Sequence, residues 1–179
     1  NMILEIELPL LRNVEIAYIP KIKQLLQIIS ESTPFIPNVS KLSERIGMTR
    51  NSLLVYLHAL HESNITSHLN KASTGIRLLQ KPDKIYLDNT NLMYAFSPQN
   101  ADTGNLRETF FANQLQYLHD IKMSEKGDFF VNNQFTFEIG GKDKTNKQIE
   151  GIPDSYIVSD NIEFGYRNKI PLWLFGFLY

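Results

Sequence analysis

The sequence predicts an α+β protein of two units, a helical unit closed by a hairpin and then a mixed α/β unit. Three observations carry this. Apolar residues recur at helical spacing through residues 20–62, aromatic residues alternate with polar ones from residue 128 onward, and the charge changes sign between the two patterns. Residues 20–85 hold nine basic and four acidic groups, a net of +5, whereas residues 86–179 hold eight and twelve, a net of −4. Residues 1–19 add −2, so the whole-chain charge of −1 conceals the division. A basic block joined to an acidic block predicts two units with different partners, and the basic one is the nucleic-acid candidate. The boundary is expected near residues 85–90.

In the basic block, Ile22, Leu25, Leu26, Ile28 and Ile29 mark a helix over 20–30, with Pro20 suited to its first turn. Pro34 and Pro37 stop it. Asn38 and Ser40 offer caps to a short second helix through Ile46, which Gly47 ends. Thr49 can cap a third helix, from Arg50 to about Glu62. Its stripe of Leu53, Leu54, Leu57 and Leu60 must face a core, which leaves Arg50, Asn51, His58 and His61 outside. Residues 65–69 and 76–79, joined by a polar tip at 70–75, read as a hairpin, and residues 84–87 add a strand.

In the acidic block, residues 88–95 read as a strand end running into a short helix. Asn105 is the expected cap of a longer helix through Glu108, Phe110, Phe111, Leu115 and Leu118. Asp128 to Val131 reads as a strand, Asn132 and Asn133 supply turn chemistry, and Phe135, Phe137 and Ile139 alternate with Thr136 and Glu138. The apolar runs 156–158, 162–164 and 170–177 are expected to be further strands.

Composition narrows the chemistry. Hydrophobic residues make up 42% and charged residues 21%, enough for a normal core and too apolar for disorder. The absence of cysteine removes disulfides, thiol catalysis and Cys-based zinc sites. The longest apolar run, residues 170–179, is about half of the roughly 20 residues a membrane helix needs, and no segment reads as a signal peptide. A cytoplasmic location without a membrane partner is expected. His58 and His61 lack a third ligand nearby and read as surface residues. Gly140-Gly141-Lys142-Asp143-Lys144-Thr145 looks phosphate-like, yet it lacks the spacing of a P-loop and has Asp143 at the Ser/Thr position.

Hairpin register decides whether two acids meet. With a three-residue loop, 132–134, Val131 faces Phe135 and Asp128 faces Glu138, their Cβ atoms about 5 Å apart. With a two-residue Asn132-Asn133 turn, Asp128 faces Phe137 instead. Opposed carboxylates repel unless a cation lies between them or one is protonated. The sequence permits both registers.

Three helices and a hairpin, with Gly47 in the turn before the third helix, resemble a winged helix-turn-helix over residues 20–87. That resemblance implies DNA contacts from Lys41, Arg50 and Asn51, with Lys71 and Arg77 on the wing. It also admits a purely structural or protein-binding role. Residues 88–179 resemble the PD-(D/E)XK nuclease fold, also called restriction-endonuclease-like. A helix Glu (Glu108), a strand Asp (Asp128) and a Glu on the paired strand (Glu138) match its motif, whose acids hold magnesium, here at Asp128 and Glu138. The motif's Lys position is Gly140, and the next basic residue, Lys142, is the candidate for its catalytic part beside Glu108, Asp128 and Glu138.

Taken in order, the segments resemble the C-terminal half of a bacterial AAA-type ATPase of the archaeal-ATPase-like group. The match is carried by Pro34-Phe35-Ile36-Pro37-Asn38, Tyr56-Leu57-His58-Ala59-Leu60, Tyr86-Leu87-Asp88-Asn89, Arg107-Glu108-Thr109-Phe110, Phe137-Glu138-Ile139-Gly140-Gly141-Lys142 and the closing Ile170-Pro171-Leu172-Trp173. It implies that residues 1–19 trail from a missing ATPase module, where ATP would bind, and that this piece carries no cofactor of its own except a possible magnesium. The expected function is a non-catalytic module docking DNA or a protein partner. The alternatives are a metal-dependent nuclease and, more weakly, a winged-helix transcription regulator.

Overall fold

The computed structural model describes residues 2–12, 14–32, 35–71 and 81–178. It is a mixed α+β structure containing a two-stranded sheet and a five-stranded mixed sheet. A π-helical turn, Ile3–Glu7, runs into α1 (Leu8–Arg12), and Leu4 and Leu8 pack into the helical core that follows.

That core is built by α2 (Ile19–Ser30), α3 (Val39–Ile46) and α4 (Arg50–Glu62). Pro20 sits in the first turn of α2. The Asn38 side chain accepts from the Lys41 amide at 3.2 Å, and Gly47 closes α3 at φ 69°, a left-handed conformation that favours glycine. Thr49 caps α4 by accepting from the Ser52 amide at 3.1 Å. Leu53, Leu57 and Leu60 are buried, each worth roughly 1.5–3 kcal/mol relative to exposure, whereas Arg50 and Asn51 are exposed.

β1 (Thr66–Leu69) pairs antiparallel with β2 (Lys84–Leu87) in the register Thr66↔Leu87. The expected strand over 76–79 lies outside the described residues, and it is the 84–87 segment that partners β1. All four residues of β2 are buried, and alternation divides them. Ile85 and Leu87 join the helical core, whereas Tyr86 joins a second, aromatic core. β2 is therefore a wall common to both.

α5 (Thr90–Phe96) is capped by Asn89. The next helix, α6 (Thr103–Leu115), begins earlier than expected. Asp102, not Asn105, accepts from the Asn105 amide at 2.8 Å, and Asn105 is buried in the first turn, donating to the Ser32 carbonyl. Leu118 lies beyond the helix and is exposed. α6 lays Phe111 on Phe129, Phe137 and Phe175, with ring centroids 4.8–5.1 Å apart.

The five-stranded sheet runs β3 (Ile121–Met123), β4 (Phe129–Val131), β5 (Phe135–Gly140), β6 (Ser155–Ser159) and β7 (Lys169–Pro171). The first three strands are antiparallel, while β5, β6 and β7 are parallel. β3 was not legible in the sequence. Residues 162–164 form no strand, and Phe164 is exposed. The run 170–177 is a strand only to Pro171, whose fixed φ and missing N–H end it, and a 3-10 helix, Leu172–Phe177, follows. Among the described residues no helix is long and apolar enough to cross a membrane.

Candidate functional site

The site grows from β2 and the β4–β5 hairpin. Asn132 and Asn133 both take positive φ, 53° and 55°, and the Gln134 amide donates to the Val131 carbonyl. The strands set Val131 opposite Phe135 and Phe129 opposite Phe137, which makes Gln134 a third loop residue. The pairing ends there: Asp128 precedes β4, and its amide donates to the Phe137 carbonyl at 2.9 Å.

Alternation on β2 places Lys84 and Tyr86 on one face, toward α6. Tyr86 donates its hydroxyl to Glu108 Oε2 at 2.5 Å. The Lys84 ammonium lies 3.6 Å from that same oxygen and 3.9 Å from Asp128 Oδ1, with only 6% of its side chain exposed. Asp128 uses its other oxygen to accept from the Ile139 amide at 2.7 Å. Burial raises the Glu108 carboxyl above the ordinary glutamate range and the charge of Asp128 adds to this, with Lys84 and Tyr86 opposing. Burial, then Glu108, pushes the Tyr86 hydroxyl well up.

Glu138 is fully buried. Its neighbours Phe137 and Ile139 belong to the aromatic core, so its side chain leaves on the other face of β5. There Lys144 pairs with Oε1, and the Gln148 amide, turned nitrogen-inward, donates to both oxygens at 2.8 and 2.5 Å. Burial raises the Glu138 carboxyl, against the opposing hydrogen bond from Lys144. Lys144 reaches this acid by lying across Gly140, where a Cβ would meet its stem at 2.7 Å. Lys142, the basic residue nearest the motif, is exposed, and its carbonyl accepts from Lys169.

Magnesium takes oxygen ligands that converge on one point. Here an ammonium fills the space between Glu108 and Asp128, and Glu138 is turned to Lys144. Among the described residues no three His, Asp or Glu groups are arranged to hold a metal ion. These residues do not fit the ion.

Protein families, curated proteins and solved structures yield no match to this chain. Its chemistry is therefore read from its own side chains.

Lys41, Arg50, Asn51 and Lys71 are exposed. Lys41 sits in the first turn of α3 and Arg50 opens α4, while the Lys71 amide donates to Asp83 at 2.9 Å. Arg77 lies outside the described residues. Sequence reasoning missed Lys84, Tyr86, Lys144 and Gln148. The Lys-Ile-Tyr-Leu alternation of residues 84–87 was the available signal, because a lysine and a tyrosine on one buried face require an acid. It also missed His68. The His61 ring stacks on the His68 ring, centroids 4.5 Å apart and planes at 11°, and His61 Nδ1 donates to the Thr66 carbonyl. Burial, then the charges of His61 and His58, lowers His68 to about 3.

Proposed function

We propose that this chain is a non-catalytic docking module of a larger ATP-binding protein, with its helical half contacting duplex DNA. The observation that carries the non-catalytic reading is the seat of Lys84 between Glu108 and Asp128. A charge pair buried there is neutralised by the chain itself, and a divalent ion would have to displace a desolvated ammonium to enter. The acids then join β2 to α6 and the sheet, holding the helical half against the acidic half.

The order helix–helix–helix–two strands supports the winged-helix reading of residues 20–87. In that reading α4 offers Arg50 and Asn51 from its N-terminal turn, beside Lys41 on α3, to phosphates or base edges. The net charge of +5 over residues 20–85 supplies the attraction. The five-stranded sheet with α6 laid on it supports a nuclease-like ancestry for residues 88–179.

The test is fluorescence anisotropy with a labelled duplex over a series of salt concentrations. Each phosphate contact released contributes a slope of about −0.9 in log K against log salt, so Arg50→Ala should weaken binding and lower the slope by about one contact. Lys71→Ala should act likewise, without altering sequence preference. Absence of binding at low salt, or binding indifferent to salt, would transfer the docking role to a protein partner.

A further inference from the structure

The Gly140-Gly141-Lys142-Asp143-Lys144 segment is not a P-loop, yet its residues from Gly141 to Lys144 line a cleft of about 450 Å³. Arg107, on α6, and Asn161 complete the lining, with the guanidinium beside Gly141. Lys144 lines this cleft, whereas Lys84, Glu108 and Asp128 do not.

Its charges are not all free. Asp160 accepts from Arg107 Nε at 3.0 Å and from the Asn161 backbone amide at 2.8 Å, so that carboxylate is spent on holding the guanidinium in place. Lys144 is committed to Glu138. What remains is the outer fork of Arg107. Its two Nη atoms stand 3.5 and 3.6 Å from the position a Cβ of Gly141 would take, and no acceptor among the described residues is bonded to them. The Lys142 ammonium likewise has no carboxylate partner among the described residues, and Asp143 is the acid on the lining. A guanidinium held by Nε, with both Nη atoms unbonded to any acceptor among the described residues, keeps two parallel donors on the cleft lining, the arrangement that suits two oxygens of one phosphate. The volume falls within the roughly 300–1,000 Å³ of small-molecule sites, larger than a bare phosphate ion requires.

We propose that this cleft binds a phosphoester of nucleotide size, with Arg107 as the forked donor to the phosphate and Lys142 as the second cation. The phosphate could come from a free nucleotide or from a nucleic-acid backbone, and the chemistry recognised is the same. The inference does not rest on DNA docking by the helical half, because Arg50 and Asn51 take no part in it.

The experiment is calorimetric titration of the full chain at low salt with three probes: inorganic phosphate, a 5′-mononucleotide and a dinucleoside monophosphate lacking a terminal phosphate. Saturable binding of at least one probe is expected, weakened about fivefold or more by Lys142→Ala and by Arg107→Lys, with Tm unchanged. Preference for the mononucleotide identifies a terminal phosphate, and equal or better binding of the dinucleoside identifies a backbone diester. Lys142 is exposed and its ammonium has no carboxylate partner among the described residues, so its variant tests the site without endangering the fold. If no probe saturates by about 20 mM, weaker than ligands of this class bind, or if either variant leaves the affinity intact, the proposal fails.

Discussion

Lys144 lies across Gly140. A Cβ on residue 140 would stand 2.7 Å from Cγ and Cδ of Lys144 and 2.8 Å from its Cβ, closer than real Cβ atoms approach. Glycine here does not serve a left-handed turn; it leaves room for the lysine stem that carries charge to the buried Glu138. The position where a nuclease motif would hold its own lysine is thus given up to a lysine arriving from four residues downstream.

Gly140→Ala should therefore push Lys144 off Glu138 and destabilise the fold by about 1–3 kcal/mol, through overpacking and a carboxylate left short of a partner. Lys144→Ala removes the same contact from the other side. The two costs should not add, and chemical denaturation of the single and double variants measures the coupling. Additive costs would show that the stem does not depend on the glycine.

Removing Lys84 is expected to be worse. Lys84→Met leaves the buried Glu108 and the partly buried Asp128 without their common cation, a loss of about 3 kcal/mol or more. Glu108→Gln retains an acceptor for the Tyr86 hydroxyl, so adding it to Lys84→Met should recover part of the stability. Unfolding midpoints in urea read both, and a Lys84→Met variant as stable as the parent would dismiss the network.

The same cluster sets a direction for pH. Glu108 and Glu138 have folded-state pKa values raised above the ordinary glutamate value. The native state then holds more protons than the unfolded chain, so the stability these groups contribute is full below the ordinary value and is lost as pH rises through the raised one. Glu108→Gln should flatten that fall, measured as Tm between about pH 4 and 7.

His68 works in the opposite direction. Its folded value, lowered to about 3, lies below an unfolded value of about 6.5, so the native state binds fewer protons across that window and stability falls as pH falls through it. Proton NMR should show His68 uncharged at pH 5 in the folded protein, and His68→Gln should lessen acid sensitivity. A titration of His68 near 6.5 would contradict the desolvation of its ring.

What could be read in advance follows from how local each signal is. The α4 stripe and its Thr49 cap are set within one helix, and both were legible. The hairpin left two registers open because Asn132-Asn133 suits a tight turn by itself; Gln134, as an additional loop residue, decides between them. Asp102 displaced Asn105 as a cap because Asn105 has a tertiary partner, the Ser32 carbonyl 73 residues away. Lys84 was hidden for the same reason. It pairs with acids 24 and 44 positions on, and no periodicity records such a contact.

The final prediction concerns cleavage. With Lys84 between Glu108 and Asp128 and Glu138 turned to Lys144, a divalent ion would need two lysines to withdraw before it met three carboxylates. ATP hydrolysis has even less to work with, since no P-loop cradles the phosphates. The chain should neither release phosphate from ATP nor nick supercoiled plasmid with magnesium or manganese. Asp128→Asn is the control to run beside it, because the amide oxygen can still accept from the Ile139 N–H and the fold is retained, whereas Asp128→Ala would leave that donor bare. Nicking by the parent that Asp128→Asn abolishes would overturn the non-catalytic reading and restore the nuclease alternative, with Lys144 as the lysine nearest the motif acid. Nicking that persists in the control would belong to a contaminant.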